Sequence, residues 1–231
     1  MKTILTTGGA GFIGSHTCLV LLNAGFDIVV LDSFINSSEN VLNRIANLAN
    51  INDFSKTKRI KIYKGDIRDF SLLDLIFREA ESNNKPIYCV IHFAGLKSVF
   101  ESNLKPLNYW DVNVNGTLNI LKVMDKFNCN NFVFSSSAAI YGNINNNPTE
   151  ESLTKPINPY GQTKLAVETI LKNLYLSSPN KWRISVLRYF NPIGAHESGL
   201  LGEDPNVEAS NIFPDFCKVA LSKKKLFNIY G

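Results

Sequence analysis

The chain has 231 residues, a net charge of +4 and a hydrophobic content of 45%, and its mean hydropathy is -0.03. These values suit a globular protein with a sizeable core. No run approaches the roughly 20 apolar residues that a membrane span needs. The one basic run, residues 223–225, is better explained by an exposed turn than by a nucleic-acid site. We therefore expect neither a membrane nor a nucleic-acid partner.

Cysteine and histidine spacing argues against a metal site. The four cysteines lie far apart and match neither a zinc nor a redox motif, so we expect reduced, buried thiols. The three histidines show no ligand spacing either. The N-terminal apolar run is shorter than the ~7–15-residue core of a signal peptide. Together with the free thiols, this predicts a cytoplasmic protein.

Short β-branched runs alternate with amphipathic segments along most of the chain. Such alternation predicts an α/β fold, a doubly wound parallel sheet with helices on both faces. After Tyr189 the alternation stops, so we assign residues 1–188 to one domain and residues 189–231 to the beginning of a smaller C-terminal substrate lobe. The predicted strands are 2–6, 27–32, 59–64, 89–93, 131–135 and 183–189, and the predicted helices are 13–24, 38–49, 72–82, 109–126 and 160–175.

A glycine-rich loop joins the first strand to the first helix. Gly8, Gly11 and Gly14 give the spacing G-x-x-G-x-x-G, and Gly9, Gly11 and Gly14 give G-x-G-x-x-G. Without Cβ atoms these residues permit a tight turn and let the backbone approach a pyrophosphate. The following helix offers free N–H groups and its positive dipole end. With a strand before it and a helix after it, the loop predicts a Rossmann-type dinucleotide-binding domain.

The second strand ends in Asp32, and its neighbour Ser33 offers no arginine for a 2′-phosphate. A carboxylate there can accept hydrogen bonds from both ribose hydroxyls and repel that phosphate, so NAD is favoured over NADP. Asp66 follows the third strand, where it could receive the adenine amino group or cap a helix. Asn113 lies in mid-helix, a poor place for asparagine unless its side chain bonds something buried.

The chemical site is predicted from Tyr160 and Lys164, which form Y-x-x-x-K on one helix face. A free tyrosine has a pKa near ~10. A nearby ammonium and the positive nicotinamide favour the phenolate, so we expect a lowered pKa for Tyr160. Lys164 can also bind the nicotinamide ribose. Ser137, at a strand's carboxyl end, could bridge a substrate hydroxyl and Tyr160 in a proton relay.

Longer stretches resemble the extended short-chain dehydrogenase/reductase family, and within it the UDP-glucose 4-epimerases. The most specific stretches are residues 93–97, 113–117, 187–196 and 202–205. The resemblance implies a cytosolic enzyme that holds NAD tightly and interconverts UDP-glucose and UDP-galactose. It also implies a homodimer formed through a helix bundle that includes residues 109–126 and 160–175.

The resemblance assigns contacts residue by residue. Beyond the glycines, the positions that match NAD contacts are Phe12, Ile13, Asp32, Ser33, Asn36, Ser37, Asp66, Ile67, Phe93, Ala94, Gly95, Lys97, Asn113, Tyr160, Lys164 and Phe190. The positions that match substrate contacts are Lys97, Ser137 and Tyr160, then Asn191, Asn211 and Ile212 at the diphosphate, and Asn228 and Tyr230 near uracil.

The implied reaction is a reversible oxidation at sugar C4. The Tyr160 phenolate, through or beside Ser137, removes the 4′-hydroxyl proton while C4 gives a hydride to NAD. The 4-keto sugar then rotates while its UDP stays anchored, and takes the hydride back on its other face. Family members continue past the position of Gly231 with a diphosphate-binding arginine and most of a C-terminal domain. We therefore expect either a fragment or a truncated relative with weak turnover.

Other readings stay open. Sugar-nucleotide 4,6-dehydratases carry an Asp-Glu pair directly after the central Ser/Thr, and the related decarboxylases carry a glutamate there. Ala138 and Ala139 occupy those positions here, which disfavours both activities. A UDP-N-acetylhexosamine 4-epimerase and an NAD-binding module without turnover remain as alternatives.

Overall fold

A six-stranded, fully parallel sheet in the order β3-β2-β1-β4-β5-β6 organises the chain. The structure is a computed structural model that describes residues 1–51, 58–143, 147–203, 212–222 and 226. This strand order is that of the Rossmann fold, so the predicted fold class is confirmed. The strands are β1 Thr3–Thr7, β2 Asp27–Asp32, β3 Ile60–Lys64, β4 Ile87–His92, β5 Asn131–Ser137 and β6 Arg183–Tyr189.

Helices cover both faces of the sheet. They are α1 Phe12–Asn23, α2 Asn40–Leu48, α3 Phe70–Ser82, α4 Val99–Leu104, α5 Pro106–Tyr109, α6 Gly116–Lys126, α7 Pro159–Ser177 and α8 Ile212–Ala220, with a π-helical segment Trp110–Asn115 and a 3₁₀ turn Ala138–Tyr141. The division into a domain over 1–188 and a lobe over 189–231 stays a prediction.

Strand β2 is buried along its whole length and supplies both faces of the core. Ile28 and Val30 belong to one hydrophobic cluster, with side chains of α1 and α2. Val29 and Leu31 belong to the other, with side chains of α3, α6 and α7. Because successive strand residues point to opposite faces, one continuous apolar run packs two helical layers.

The predicted helix over 109–126 differs most from the observed one. The helical stretch begins earlier, at Pro106, and its middle widens into the π-helical segment Trp110–Asn115. Helices α4 and α8 were not predicted. Helix α4 has only six residues, too few for a periodic pattern, and Ser98 caps it by accepting a hydrogen bond from Glu101 N.

The described residues include all four cysteines and the helices whose length and polarity bear on a membrane span. All four cysteines are free, with Cys18, Cys89 and Cys129 buried and Cys217 partly exposed. In the described part of the chain, no helix is long and apolar enough to cross a bilayer. Within the same residues, no group of three or more His, Cys, Asp or Glu is placed to hold a metal ion.

Candidate functional site

The glycine loop is as tight as its sequence predicts. Gly8 has φ of +69°, and a Cβ on it would lie 2.6 Å from Ala94 N. A Cβ on Gly14 would lie 2.3 Å from Gly8 O, so α1 could not approach the loop. Gly9 is also enclosed, since its Cβ would meet Thr6 Oγ1 at 2.7 Å. Close approach of backbone therefore requires glycine at positions 8 and 14, and packing of side chains requires it at position 9.

Helix α1 begins directly after this loop, with Gly11 as an N-cap that supplies no side-chain hydrogen bond and no acidic residue in the first turn. The first N–H groups of a helix have no partner within the helix. Together with the dipole, they form an anion-binding position at the carboxyl edge of β1. A pyrophosphate can approach this position, because Gly11 at the start of α1 carries no side chain and the space its Cβ would occupy meets only Gly8 O, at 3.3 Å.

Asp32 is buried at the end of β2 and joins two loops. Its Oδ2 accepts a hydrogen bond from Ala10 N at 2.9 Å. Its Oδ1 accepts from Phe34 N and from Ser37 Oγ, both at 2.9 Å. A carboxylate offers roughly four acceptor sites, so about one is left for a ligand. The two ribose hydrogen bonds expected from the sequence exceed what this arrangement leaves free.

Asp66 does not cap helix α3. That position belongs to Asp69, whose Oδ1 accepts from Leu72 N at 3.0 Å. Asp66 instead forms an ion pair with Arg68, with 2.7 Å between Oδ2 and Nη2. The hydrogen bond from Arg68 lowers the pKa of the Asp66 carboxyl. The helix-cap alternative is therefore excluded. Ile67 beside it is only 5% exposed and belongs to the hydrophobic cluster that contains Val29 and Leu31.

Asn113 bonds buried groups, as its mid-helix position predicted. Its Oδ1 accepts from Leu96 N at 2.8 Å, and its Nδ2 donates to Leu96 O and to Thr163 Oγ1, both at 3.1 Å. The amide thus joins the loop after β4 to helix α7, next to Lys164. A direct contact of Asn113 with NAD stays a prediction, and this network uses both donors of its side chain.

His92 has a structural role at the end of β4. Its Nδ1 lies 2.6 Å from Thr7 Oγ1 and its Nε2 lies 2.9 Å from Thr117 Oγ1. Burial, and then the charge of Lys164, lower the pKa of His92 to about 3. The imidazole is therefore neutral at pH 7. Sequence reasoning missed Thr7 and Thr117 as its supports, although hydroxyls inside apolar runs were a visible signal.

Tyr160 and Lys164 occupy the first turns of α7, which Asn158 caps by accepting from Gly161 N at 2.8 Å. Lys164 is 6% exposed, and its Nζ lies 5.9 Å from the centre of the Tyr160 ring. The same Nζ donates to Ser135 O at 2.9 Å. Burial lowers the pKa of Lys164 to about 8.

The pKa of Tyr160 departs from the expectation. Burial of Tyr160 raises the pKa of its hydroxyl above 10, and a hydrogen bond with Ser137 opposes that rise. Lys164 does not produce the expected decrease; its Nζ donates to Ser135 O and lies 5.9 Å from the centre of the Tyr160 ring. The contribution of a bound nicotinamide stays a prediction. The structure does bring Ser137, Tyr160 and Lys164 together at the carboxyl edge of β5, where open α/β sheets bind ligands.

A second polar cluster adjoins this triad and was not predicted. Glu168, one turn beyond Lys164, accepts from Ser136 Oγ at 2.5 Å and from Arg188 at 2.8 Å. Arg188 also donates to Tyr141 Oη at 2.9 Å. The cluster fixes β5, β6 and the 3₁₀ turn against α7. A long-range ion pair of this kind has no signal in local sequence spacing.

The remaining predicted positions are less enclosed. Ser33 and Asn36 lie in the β2–α2 loop with Ser37, and Phe93, Ala94 and Gly95 follow β4. Phe190 is 64% exposed and Asn191 is also exposed. Ile212, at the start of α8, is exposed as well. Asn211, Asn228 and Tyr230 lie outside the described residues. The described substrate-contact positions Asn191 and Ile212 are therefore more exposed than Asp32, the position predicted to bind the NAD ribose.

Comparison with known proteins agrees with this geometry. Residues 5–231 match the family model described as GDP-mannose 4,6 dehydratase. UDP-glucose 4-epimerase 4 of Oryza sativa subsp. japonica is 48% identical over 231 residues, which is 100% of this chain and 60% of the relative. The UDP-glucose 4-epimerase of Bacillus subtilis (strain 168) is 45% identical over 99% of this chain and 64% of its own length.

Among solved structures, the UDP-glucose 4-epimerase of Bifidobacterium longum in complex with NAD+ and UDP is 46% identical, with a TM-score of 0.89. The match covers 100% of this chain and 65% of that chain. The chain thus spans less than two thirds of the length of these relatives. The matched family model, together with the parallel sheet, shows that the chain belongs to the extended short-chain dehydrogenase/reductase family.

Proposed function

We propose that this chain carries the NAD-binding and proton-transfer parts of a UDP-glucose 4-epimerase, which interconverts UDP-glucose and UDP-galactose. The observation that carries the proposal is the convergence of Ser137, Tyr160 and Lys164 beside a glycine loop built for a pyrophosphate. The epimerases that resemble the chain over nearly its full length support the choice of reaction.

The side chains divide the chemistry among them. The glycine loop would hold NAD, which would supply a reversible hydride acceptor for sugar C4. Tyr160 takes the proton of the 4′-hydroxyl and later gives it back, directly or through Ser137. Lys164, with a pKa of about 8, is mostly protonated at pH 7 and would donate hydrogen bonds to the nicotinamide ribose. Asn113 and Asn158 hold the helix that carries both residues.

An epimerase is favoured over the 4,6-dehydratase that names the family model. Dehydration requires an additional acid and base at the substrate, whereas epimerisation needs one group that takes and returns the same proton. Ala138 and Ala139 form the turn directly after Ser137 and carry no titratable group. The nearby carboxylate of Glu168 is already paired with Arg188, which leaves it unsuited to this role.

The test of the proposed function is conversion of UDP-galactose. Purified protein with NAD is incubated with UDP-galactose, and UDP-glucose is quantified by chromatography. Formation of UDP-glucose without net NADH is the expected result. Formation of a 4-keto-6-deoxy sugar would instead indicate a dehydratase. A parallel reaction with UDP-N-acetylgalactosamine separates a UDP-N-acetylhexosamine 4-epimerase from a strict hexose enzyme, and no conversion of either sugar would indicate an NAD-binding module without turnover.

We also propose a homodimer located in the cytoplasm. Apolar side chains stand exposed beside the predicted helix bundle, including Phe100 at 75%, Leu104 at 66% and Leu107 at 83%. Exposed large apolar side chains that lie close together along the chain are typical of a protein–protein interface. Light scattering of the purified chain measures the assembly, and a Leu107→Lys variant is expected to shift it toward the monomer. The reduced thiols of Cys18, Cys89 and Cys129 suit the cytoplasm.

Asp32 is expected to make the chain prefer NAD over NADP. The buried carboxylate opposes the negative 2′-phosphate, and a charge-assisted hydrogen bond contributes ~1.5–3 kcal/mol, or roughly tenfold to hundredfold in affinity. Titration of both dinucleotides into apo protein measures the ratio. Asp32→Asn is the variant that tests this role, since it keeps the size of the side chain and removes its charge. A preference that is unchanged in Asp32→Asn would contradict this role.

A further inference from the structure

Residues 190–203, here called the strap, leave the outer edge of the sheet and return to its middle. The strap begins after Tyr189, at the carboxyl end of the edge strand β6. It folds into a small hairpin, in which Ala195 and Gly202 form an antiparallel bridge. His196 N donates to Leu201 O at 2.9 Å, and Gly199 N donates to His196 O at 2.9 Å. The strap is therefore an ordered element with its own hydrogen bonds.

Leu201 anchors the strap in the core. The other residues of the hairpin are mostly exposed, but Leu201 is 3% exposed and belongs to the hydrophobic cluster of α1, α2 and β2 that also contains Ala10, Leu42 and Ile45. Ala10 is part of the glycine loop, and Asp32 accepts a hydrogen bond from its N–H. The anchor thus lies against the elements that form the predicted pyrophosphate and ribose positions.

Two polar contacts hold the strap on either side of Leu201. Arg44 Nη1, on the exposed face of α2, donates to Leu200 O at 3.2 Å. Lys97 Nζ, from the loop after β4, lies 3.6 Å from Glu203 Oε1. The strap is therefore bonded both to the β2 side of the sheet and to the β4 side.

The strand order determines the path of the strap. β6 is separated from β1 and β2 by β5 and β4, and every strand points its carboxyl end the same way. A segment that starts at the carboxyl end of β6 and docks beside Ala10 must cross the carboxyl ends of the strands between them. That edge carries the glycine loop, the loop after β4 and Ser137.

We propose that the strap closes over the dinucleotide and retains it, with Leu201 as the anchor that must leave the core before the cofactor dissociates. This proposal rests on the proposed function only for the identity of the ligand, NAD. It assigns to Leu201 and Arg44 a role in cofactor retention. Because neither residue lies among the predicted catalytic groups, their effect is on the rate of NAD release and not on proton transfer.

The test compares the rate of NAD release in matched variants. Protein loaded with labelled NAD is mixed with excess unlabelled NAD, and the retained label is followed with time. Leu201→Ala is expected to release NAD at least about tenfold faster, since large-to-small changes of buried leucine have large free-energy effects. Arg44→Met removes one exposed hydrogen bond and is expected to release NAD about two- to fivefold faster.

Leu22→Ala is the matched control. Leu22 is 2% exposed in the same cluster but lies at the last turn of α1, away from the carboxyl edge. It should lower stability to a similar extent and leave NAD release within about twofold of the unchanged chain. Hydrogen exchange adds an independent readout, in which NAD should slow exchange at the amides of Leu201 and His196.

Each result bears on the proposal. Equal release from Leu201→Ala and Leu22→Ala would show that Leu201 is only a core residue and would overturn it, as would unchanged release from Arg44→Met, a substitution that leaves the core intact. Failure of the chain to bind NAD would overturn both the strap and the proposed function. If the variants change the rate of NAD release as expected but the chain does not convert UDP-galactose, the proposed epimerase activity would be rejected and the role of the strap would stand.

Discussion

Replacement of Tyr160 by Phe is expected to reduce turnover of UDP-galactose by about 10²–10⁴, the usual contribution of general acid–base catalysis. The hydroxyl is buried beside Ser137, and the ammonium of Lys164 is 5.9 Å from the centre of the ring. The substitution removes one oxygen and keeps the ring, so the fold and NAD affinity should be preserved.

The measurement is kcat for UDP-galactose together with the NAD dissociation constant. Tyr175→Phe is the matched control, because Tyr175 lies on the same helix and is 45% exposed. It should leave both values unchanged. Near-normal turnover in Tyr160→Phe would reject Tyr160 as the proton-transfer group. The pH profile adds a further check, because burial raises the pKa of Tyr160, so activity should increase with pH through the neutral range.

His92 is expected to make the fold sensitive to acid. Its pKa is about 3 in the folded chain, against 6.5 for an ordinary histidine. Between these two values the unfolded chain binds more protons than the folded one, so the free energy of unfolding decreases as the pH falls below 6.5. The loss is roughly 3 kcal/mol by pH 4 and roughly 4 kcal/mol at pH 3, and it levels off at roughly 5 kcal/mol below pH 3. Above pH 6.5 His92 contributes no slope.

Denaturant unfolding from pH 8 to pH 4 measures this effect, with His92→Asn as the comparison. Several carboxyl groups with lowered pKa values, such as Asp66 and Asp111, also lose stabilising interactions in acid. Their contribution is common to both proteins, so the difference between the two curves isolates His92. His16→Gln serves as a control on a partly exposed histidine. Parallel curves for the unchanged chain and His92→Asn would contradict the assignment.

Local sequence was sufficient for the framework of the molecule. Strand β2 is a continuous apolar run ending in Asp32, and both bounds were predicted as observed. The glycine loop was recognised because only residues without Cβ atoms permit its approach to Ala94 and to α1. The Tyr160–Lys164 pair followed from helical periodicity, since residues four apart share one face. Each of these features depends on neighbours a few positions away.

The tertiary structure decided the features that depend on distant partners. Asn113 bonds Leu96 and Thr163, which are 17 and 50 positions away. Burial of Tyr160 raises its pKa, although the sequence placed a lysine beside it. Leu201, one of two leucines in an exposed hairpin, enters a cluster built by α1 and α2. Such contacts and the burial that accompanies them arise only when separate elements pack, so spacing along the chain does not encode them.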